Sequence, residues 1–139
     1  MKRNYEIINH TADLGLRVFG ETREELFANA AAAMFAQITD LEQIRPHLHR
    51  SLEVEAPDRE ELLVRFLSEL LYLFTSGALL PGKFKIKRMD DRYLEAEVWG
   101  EKFSASLPQL KTEIKAVTYH NLKIDHDETG WKAEVIFDV

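Results

Sequence analysis

Two short segments concentrate side chains able to do polar chemistry: His10-Thr11-Ala12-Asp13 near the start of the chain, and Asp138-Val139 at its end. Asp13 falls in a short connection between two runs that read as strands, where a rigid scaffold commonly holds functional groups. An aspartate there also caps turns by accepting backbone hydrogen bonds. His10 has no second histidine at an H-x-x-x-H spacing, so a hydrogen-bonded structural imidazole accounts for it as well as a base or a ligand does. The apolar run Val135-Ile136-Phe137 leads directly into Asp138 and Val139. A side-chain carboxylate and a terminal carboxylate held at a strand end offer a hard cation several oxygen ligands, and Asp13 adds another if its loop reaches that end. An exposed terminus beside an acidic residue is the plain alternative.

Other chemistries find less support. The chain contains no cysteine, which excludes disulfides, thiolate metal sites and a cysteine nucleophile. His47, His49, His120 and His126 make no zinc motif, Ser104 and Ser106 lack a G-x-S-x-G elbow, and the glycine loops that cradle phosphates are absent. A net charge of -6 argues against a surface that grips nucleic acid by counterion release. The best basic cluster, Lys83-Phe84-Lys85-Ile86-Lys87-Arg88, alternates charge with apolar residues as a solvated strand face does. RNA, if involved, is then expected to be held by another protein. No apolar run is long enough to span a bilayer and the opening residues lack a signal-peptide pattern, so a cytoplasmic location is expected.

Positioning these groups falls to one domain over residues 1–139, since the length and the 45% hydrophobic content suit a single core. Strands are expected at Tyr5 to Asn9, Leu14 to Gly20, Ser51 to Ala56, Phe84 to Met89, Tyr93 to Trp99, Ala116 to Ile124 and Trp131 to Phe137. Thr22 followed by Glu25, and Asp58 followed by Glu61, mark the starts of two helices by capping. The first helix is rich in alanine, and the second carries an apolar stripe at positions 63, 66, 67, 70, 71 and 74. Pro81-Gly82 reads as a turn, and Gly100 to Thr112 as a loop. The fold class expected is α+β, a largely antiparallel sheet with two helices packed on one side.

The blocks His10-Thr11-Ala12-Asp13-Leu14-Gly15-Leu16-Arg17, Phe66 to Leu73, Glu113 to Leu122 and Val135 to Val139 together resemble the archease family along essentially the whole chain. That resemblance implies a non-catalytic accessory protein that helps an RtcB-type RNA ligase through its metal- and GTP-dependent guanylylation and restores it for repeated turnover in tRNA splicing or RNA repair. It further implies a divalent cation, described in the family as calcium, bound by Asp13, Asp138 and Val139, the last through its main-chain carboxylate. Lys115, in Glu113-Ile114-Lys115-Ala116-Val117-Thr118-Tyr119-His120, is a candidate contact to the partner or its phosphates, or simply a lysine on a strand face. The segment Gly100 to Pro108 departs from the family, where an acidic residue near Ser104 and a following histidine are common. A chaperone-like adaptor for another RNA-modifying enzyme, such as a tRNA methyltransferase, is the alternative. A hydrolase built on Asp13 and Asp138 would need a substrate pocket that the sequence does not display.

Overall fold

The computed structural model describes residues 4–9, 12–102 and 110–139. In chain order the elements are β1 (Tyr5–Asn9), β2 (Leu14–Gly20), α1 (Arg23–Ile38), a 3-10 turn at Leu41–Gln43, β3 (Leu48–Glu55), α2 (Arg59–Thr75), β4 (Leu80–Met89), β5 (Tyr93–Glu101), β6 (Ala116–Val117), β7 (Lys123–Asp127) and β8 (Gly130–Asp138). Both helices begin where the capping residues place them. The Thr22 hydroxyl accepts from the Glu25 N–H at 3.0 Å, and the Asp58 carboxylate accepts from the Glu61 N–H at 2.8 Å. Each bond satisfies an amide that has no partner inside its helix.

The α+β class holds, with the strands divided between two antiparallel sheets. In the five-stranded sheet β8 is central, pairing with β2 on one side and with β6 and β7 on the other, and β1 lies outside β2. The three-stranded sheet runs β3-β5-β4. Each helix touches both sheets: α1 packs on β2 and β4, while α2 meets β3, β4, β6 and β7. The apolar stripe of α2 becomes the centre of the core, with Leu63, Phe66, Leu67 and Leu70 fully buried. Phe66 lies 6.2 Å from Phe27 of α1, and Phe35 sits between Phe74 at 6.2 Å and Phe84 at 5.7 Å, centroid to centroid. Burying each of the fully enclosed rings, Phe27, Phe35 and Phe66, contributes about 1.5–3 kcal/mol. No helix among the described residues is long and apolar enough to cross a membrane.

Three local expectations need correction. Pro81-Gly82 is not a turn: it lies inside β4, at an irregularity in the pairing with β5. Proline lacks an N–H for the ladder, which is why it sits at such a break. A Cβ on Gly82 would come within 2.6 Å of the Ile44 side chain, so glycine is used here for closeness rather than for turning. Ala116 to Ile124 is not one strand either, because a turn at His120-Asn121, with Asn121 at φ 50°, divides it into β6 and β7. Asparagine tolerates that left-handed conformation better than most residues. Finally, the loop expected from Gly100 starts later, since Gly100 and Glu101 complete β5. Residues 103–109, including Ser104 and Ser106, lie outside the described residues.

The hairpin joining β7 to β8 supplies a pH-dependent element. The Asp127 carboxylate accepts from the Thr129 hydroxyl at 2.6 Å and from its N–H at 2.8 Å, and these bonds hold its pKa below the ordinary value. A depressed carboxylate stabilises the fold above its unfolded pKa and loses that contribution as pH falls through its folded pKa. Thr129→Ala should therefore raise the Asp127 titration midpoint in a carbon-detected NMR experiment. The stability difference from the parent chain should shrink below the folded pKa. An unchanged midpoint would dismiss the hydroxyl as its cause.

A candidate metal centre at one end of the five-stranded sheet

The register of β8 decides which residues meet. Leu14 of β2 pairs with Phe137, while Val117 and Ala116 of β6 pair with Phe137 and Asp138. Asp13 immediately precedes Leu14, Asp138 immediately follows Phe137, and Lys115 immediately precedes Ala116, so all three adjoin the last pairs of these ladders. The Lys115 N–H donates to the Asp138 carbonyl at 2.7 Å, which continues the ladder past β6. Asp13, Asp138, Val139 and Lys115 are thus gathered at one sheet end. Residues directly opposed in an antiparallel pair have Cα atoms about 4.5–5.5 Å apart. Asp13 is half-buried and Asp138 exposed, and Val139 retains 37% of its surface. His10 and Thr11 lie outside the described residues.

Two features make this end unlike a simple strand terminus. The first is electrostatic: no donor or cation among the described residues engages the side-chain carboxylate of Asp13 or of Asp138. Carboxylates held near one another with no cation between them repel, and a bound cation removes that cost. The second is conformational, because Ala12, immediately before Asp13, sits at φ 65°. An L-residue with a Cβ resists this left-handed region by about 1–2 kcal/mol, so the turn holds Asp13 in place against a backbone preference. Ala12→Gly should then raise stability by about 1 kcal/mol in urea unfolding. A fall in stability would show that the turn is not strained at Ala12.

The donors present suit a hard cation. Carboxylate oxygens, with no cysteine thiolate anywhere in the chain, are the ligands that calcium or magnesium takes. Among the described residues no three His, Cys, Asp or Glu side chains form a metal-binding group. A set made of Asp13, Asp138 and a main-chain carboxylate contains only two such side chains. Lys115 is exposed, and no described residue pairs with its ammonium.

Sequence reasoning gave no role to Arg17, which the structure shows to be the tie across this sheet. Its guanidinium donates to Glu6 of β1 at 2.7 Å and to Glu134 of β8 at 2.7 and 3.1 Å, joining three strands around the register that pairs Leu14 with Phe137. Hydrogen bonds from Arg17 to Glu134 and Glu6 raise the Arg17 pKa further above its ordinary value. An arginine flanked across strands by glutamates was readable in principle, but only once the strand pairing was known.

The architecture defines a small α+β protein in which β2, β6 and β8 run out together beside Asp13 and Asp138. The model of the Archease protein family (MTH1598/TM1083) matches residues 5–139, and the chain belongs to the archease family. It is 41% identical to the protein archease of Methanosarcina barkeri, over 99% of this chain and 97% of that one. Identity to the protein archease of Pyrococcus furiosus is 40%, over 99% of both chains. Among solved structures, protein 1598 of Methanobacterium thermoautotrophicum superposes with a TM-score of 0.85 at 34% identity, covering 98% of this chain and 99% of that one. An archease from Thermotoga maritima, described as a possible chaperone, shares the fold with a TM-score of 0.68 at 24% identity, covering 100% and 98% of the two chains.

Proposed function

We propose that this protein is a metal-binding accessory factor that activates an RtcB-type RNA ligase, promoting its guanylylation and repeated turnover in tRNA splicing or RNA repair. The observation that supports the reading is the β2–β8 register, whose last pair, Leu14 with Phe137, adjoins both Asp13 and Asp138. Membership of the archease family supports it. Asp13, Asp138 and the main-chain carboxylate of Val139 would hold a divalent cation, calcium being the best match for an all-oxygen set at an open sheet end. When bound, that ion would supply positive charge where the chain itself gathers negative charge. Lys115 lies beside this end, where its ammonium is free to meet the partner enzyme or its phosphates. RNA would be met only through the ligase, in keeping with the net charge of -6, and the setting would be cytoplasmic.

The test is multiple-turnover RNA ligation by a cognate RtcB-type enzyme with GTP and metal, with and without this protein. Faster guanylylation and more turnovers per enzyme are expected. Unchanged ligation would sink the reading. The description of the Thermotoga relative as a possible chaperone favours a second reading, an adaptor for another RNA-modifying enzyme such as a tRNA methyltransferase. That reading predicts solubilisation of the client with no dependence on Asp13 or Asp138.

A further inference from the structure

Among the described residues, Asp138 is paired from one side only. β2 makes its last pair with β8 at Leu14 and Phe137, whereas β6 carries on to pair Ala116 with Asp138, and the Lys115 N–H donates to the Asp138 carbonyl at 2.7 Å. Phe137, flanked by Leu14 and Val117, is fixed from both sides and buried in the core. The residue after it is exposed and leans on β6, and Val139 continues from there. Whatever holds β6 in place therefore sets where Asp138 and Val139 stand.

β6 is two residues long, shorter than a strand that holds its own register. Two pins bracket it. Before it, Ile114 is buried among the core side chains. After it, Thr118 grips β8 twice at one atom: its N–H donates to the Ile136 carbonyl oxygen at 3.0 Å, and its hydroxyl donates to the same oxygen at 2.8 Å. A carbonyl oxygen has two lone pairs, so both bonds are accommodated. The hydroxyl oxygen also accepts from the His120 N–H at 3.3 Å, which ties the start of the turn containing Asn121 to the same point. Every residue except proline could supply the N–H bond. Only a hydroxyl supplies the other two, and valine in its place would keep the β-branched shape that suits a strand while losing both.

We propose, resting on the metal reading above, that Thr118 is a positioning residue for the candidate metal centre: its hydroxyl, through the Ile136 carbonyl, holds β6 against the end of β8 and so fixes Asp138 and Val139 where they can serve a divalent cation together with Asp13. It acts through the main chain, with no hydrogen bond of its own to Asp13, Asp138 or Val139 among the described residues. Supporting bonds of this kind matter because ordering a loose ligand on binding lowers affinity, and removing one weakens a metal site by about 10–100-fold. The pairs of the β2–β8 ladder do not involve Thr118, so its loss acts on the site more than on the fold.

The experiment measures calcium affinity by calorimetry, and hydrogen exchange of the Lys115 amide by NMR in the absence of metal, on the whole chain and its variants. Thr118→Val should weaken calcium binding about tenfold and speed exchange at Lys115. Thr118→Ser, which restores the hydroxyl, should recover most of both. Thr129→Ala removes a hydroxyl bond to Asp127 at the opposite end of β8, so its calcium affinity should stay that of the parent. Parent-like affinity in Thr118→Val, an unchanged Lys115 exchange rate, or equal weakening in Thr129→Ala would overturn the positioning role while leaving the metal reading intact. No calcium binding by the parent would overturn the metal reading and the positioning role with it, and the Lys115 exchange rate would still show whether Thr118 holds β6.

Discussion

Asp13→Ala and Asp138→Asn are each expected to weaken calcium binding by about 100-fold, or about 2.7 kcal/mol, measured by calorimetry on the purified chain. The reasoning is local. Each substitution removes an anionic ligand from a set with few to spare, and each also relieves part of the repulsion that makes a cation favourable there. The metal-free variants should consequently be no less stable than the metal-free parent. With metal at 100 times its dissociation constant, the parent alone should gain about 2.7 kcal/mol of stability, seen as a thermal midpoint higher by roughly 5–10 °C. The same variants should lose stimulation of the ligase while keeping their far-ultraviolet spectra. Lys115→Ala separates the roles further: it should spare calcium affinity and reduce stimulation. Parent-like calcium affinity in both aspartate variants would remove the site from this sheet end.

The second large effect lies in the other sheet. Gly100→Ala is expected to destabilise the fold by about 3 kcal/mol, a loss of roughly 10 °C in thermal midpoint. A Cβ at this position would overlap the Leu80 carbonyl oxygen and crowd Pro81, both on the neighbouring backbone of β4. Because the obstacle is main chain, the strand itself must move, and the pairs that Leu80 and Pro81 make with Glu101 and Gly100 are disturbed. Gly77 provides the contrast. It sits at φ 82° after α2 with open space around its Cα, so Gly77→Ala meets only a backbone preference worth about 1 kcal/mol. Equal midpoints for the two variants would show that crowding at Gly100 is relieved without cost.

The particular elements show why some of this was legible in the sequence. Thr22 with Glu25, and Asp58 with Glu61, announce helix starts because capping is a bond between near neighbours. The stripe through Leu63, Phe66, Leu67 and Leu70 announces a buried face for the same local reason. Pro81-Gly82 misled because its glycine answers to Ile44, a residue distant in sequence, and not to a turn. The division into two sheets, the break at Asn121 and the φ of Ala12 are likewise set by packing between remote segments. The aspartates of the candidate site follow the same rule. Residue pattern alone left Asp13 and Asp138 as separate acidic spots, family resemblance joined them, and only the strand pairing shows that their neighbours Leu14 and Phe137 meet.

The Arg17–Glu134 bond joins positions 117 residues apart. Strand pairing over such a span is slow to nucleate, because a long loop must be closed before any contact rewards it. The hairpin of β7 and β8 and the two capped helices rest on local contacts, and the β2–β8 ladder is expected to form after them. If the proposed site binds calcium, its affinity should appear only once the β2–β8 ladder has formed, and a metal-sensitive dye would then report that step.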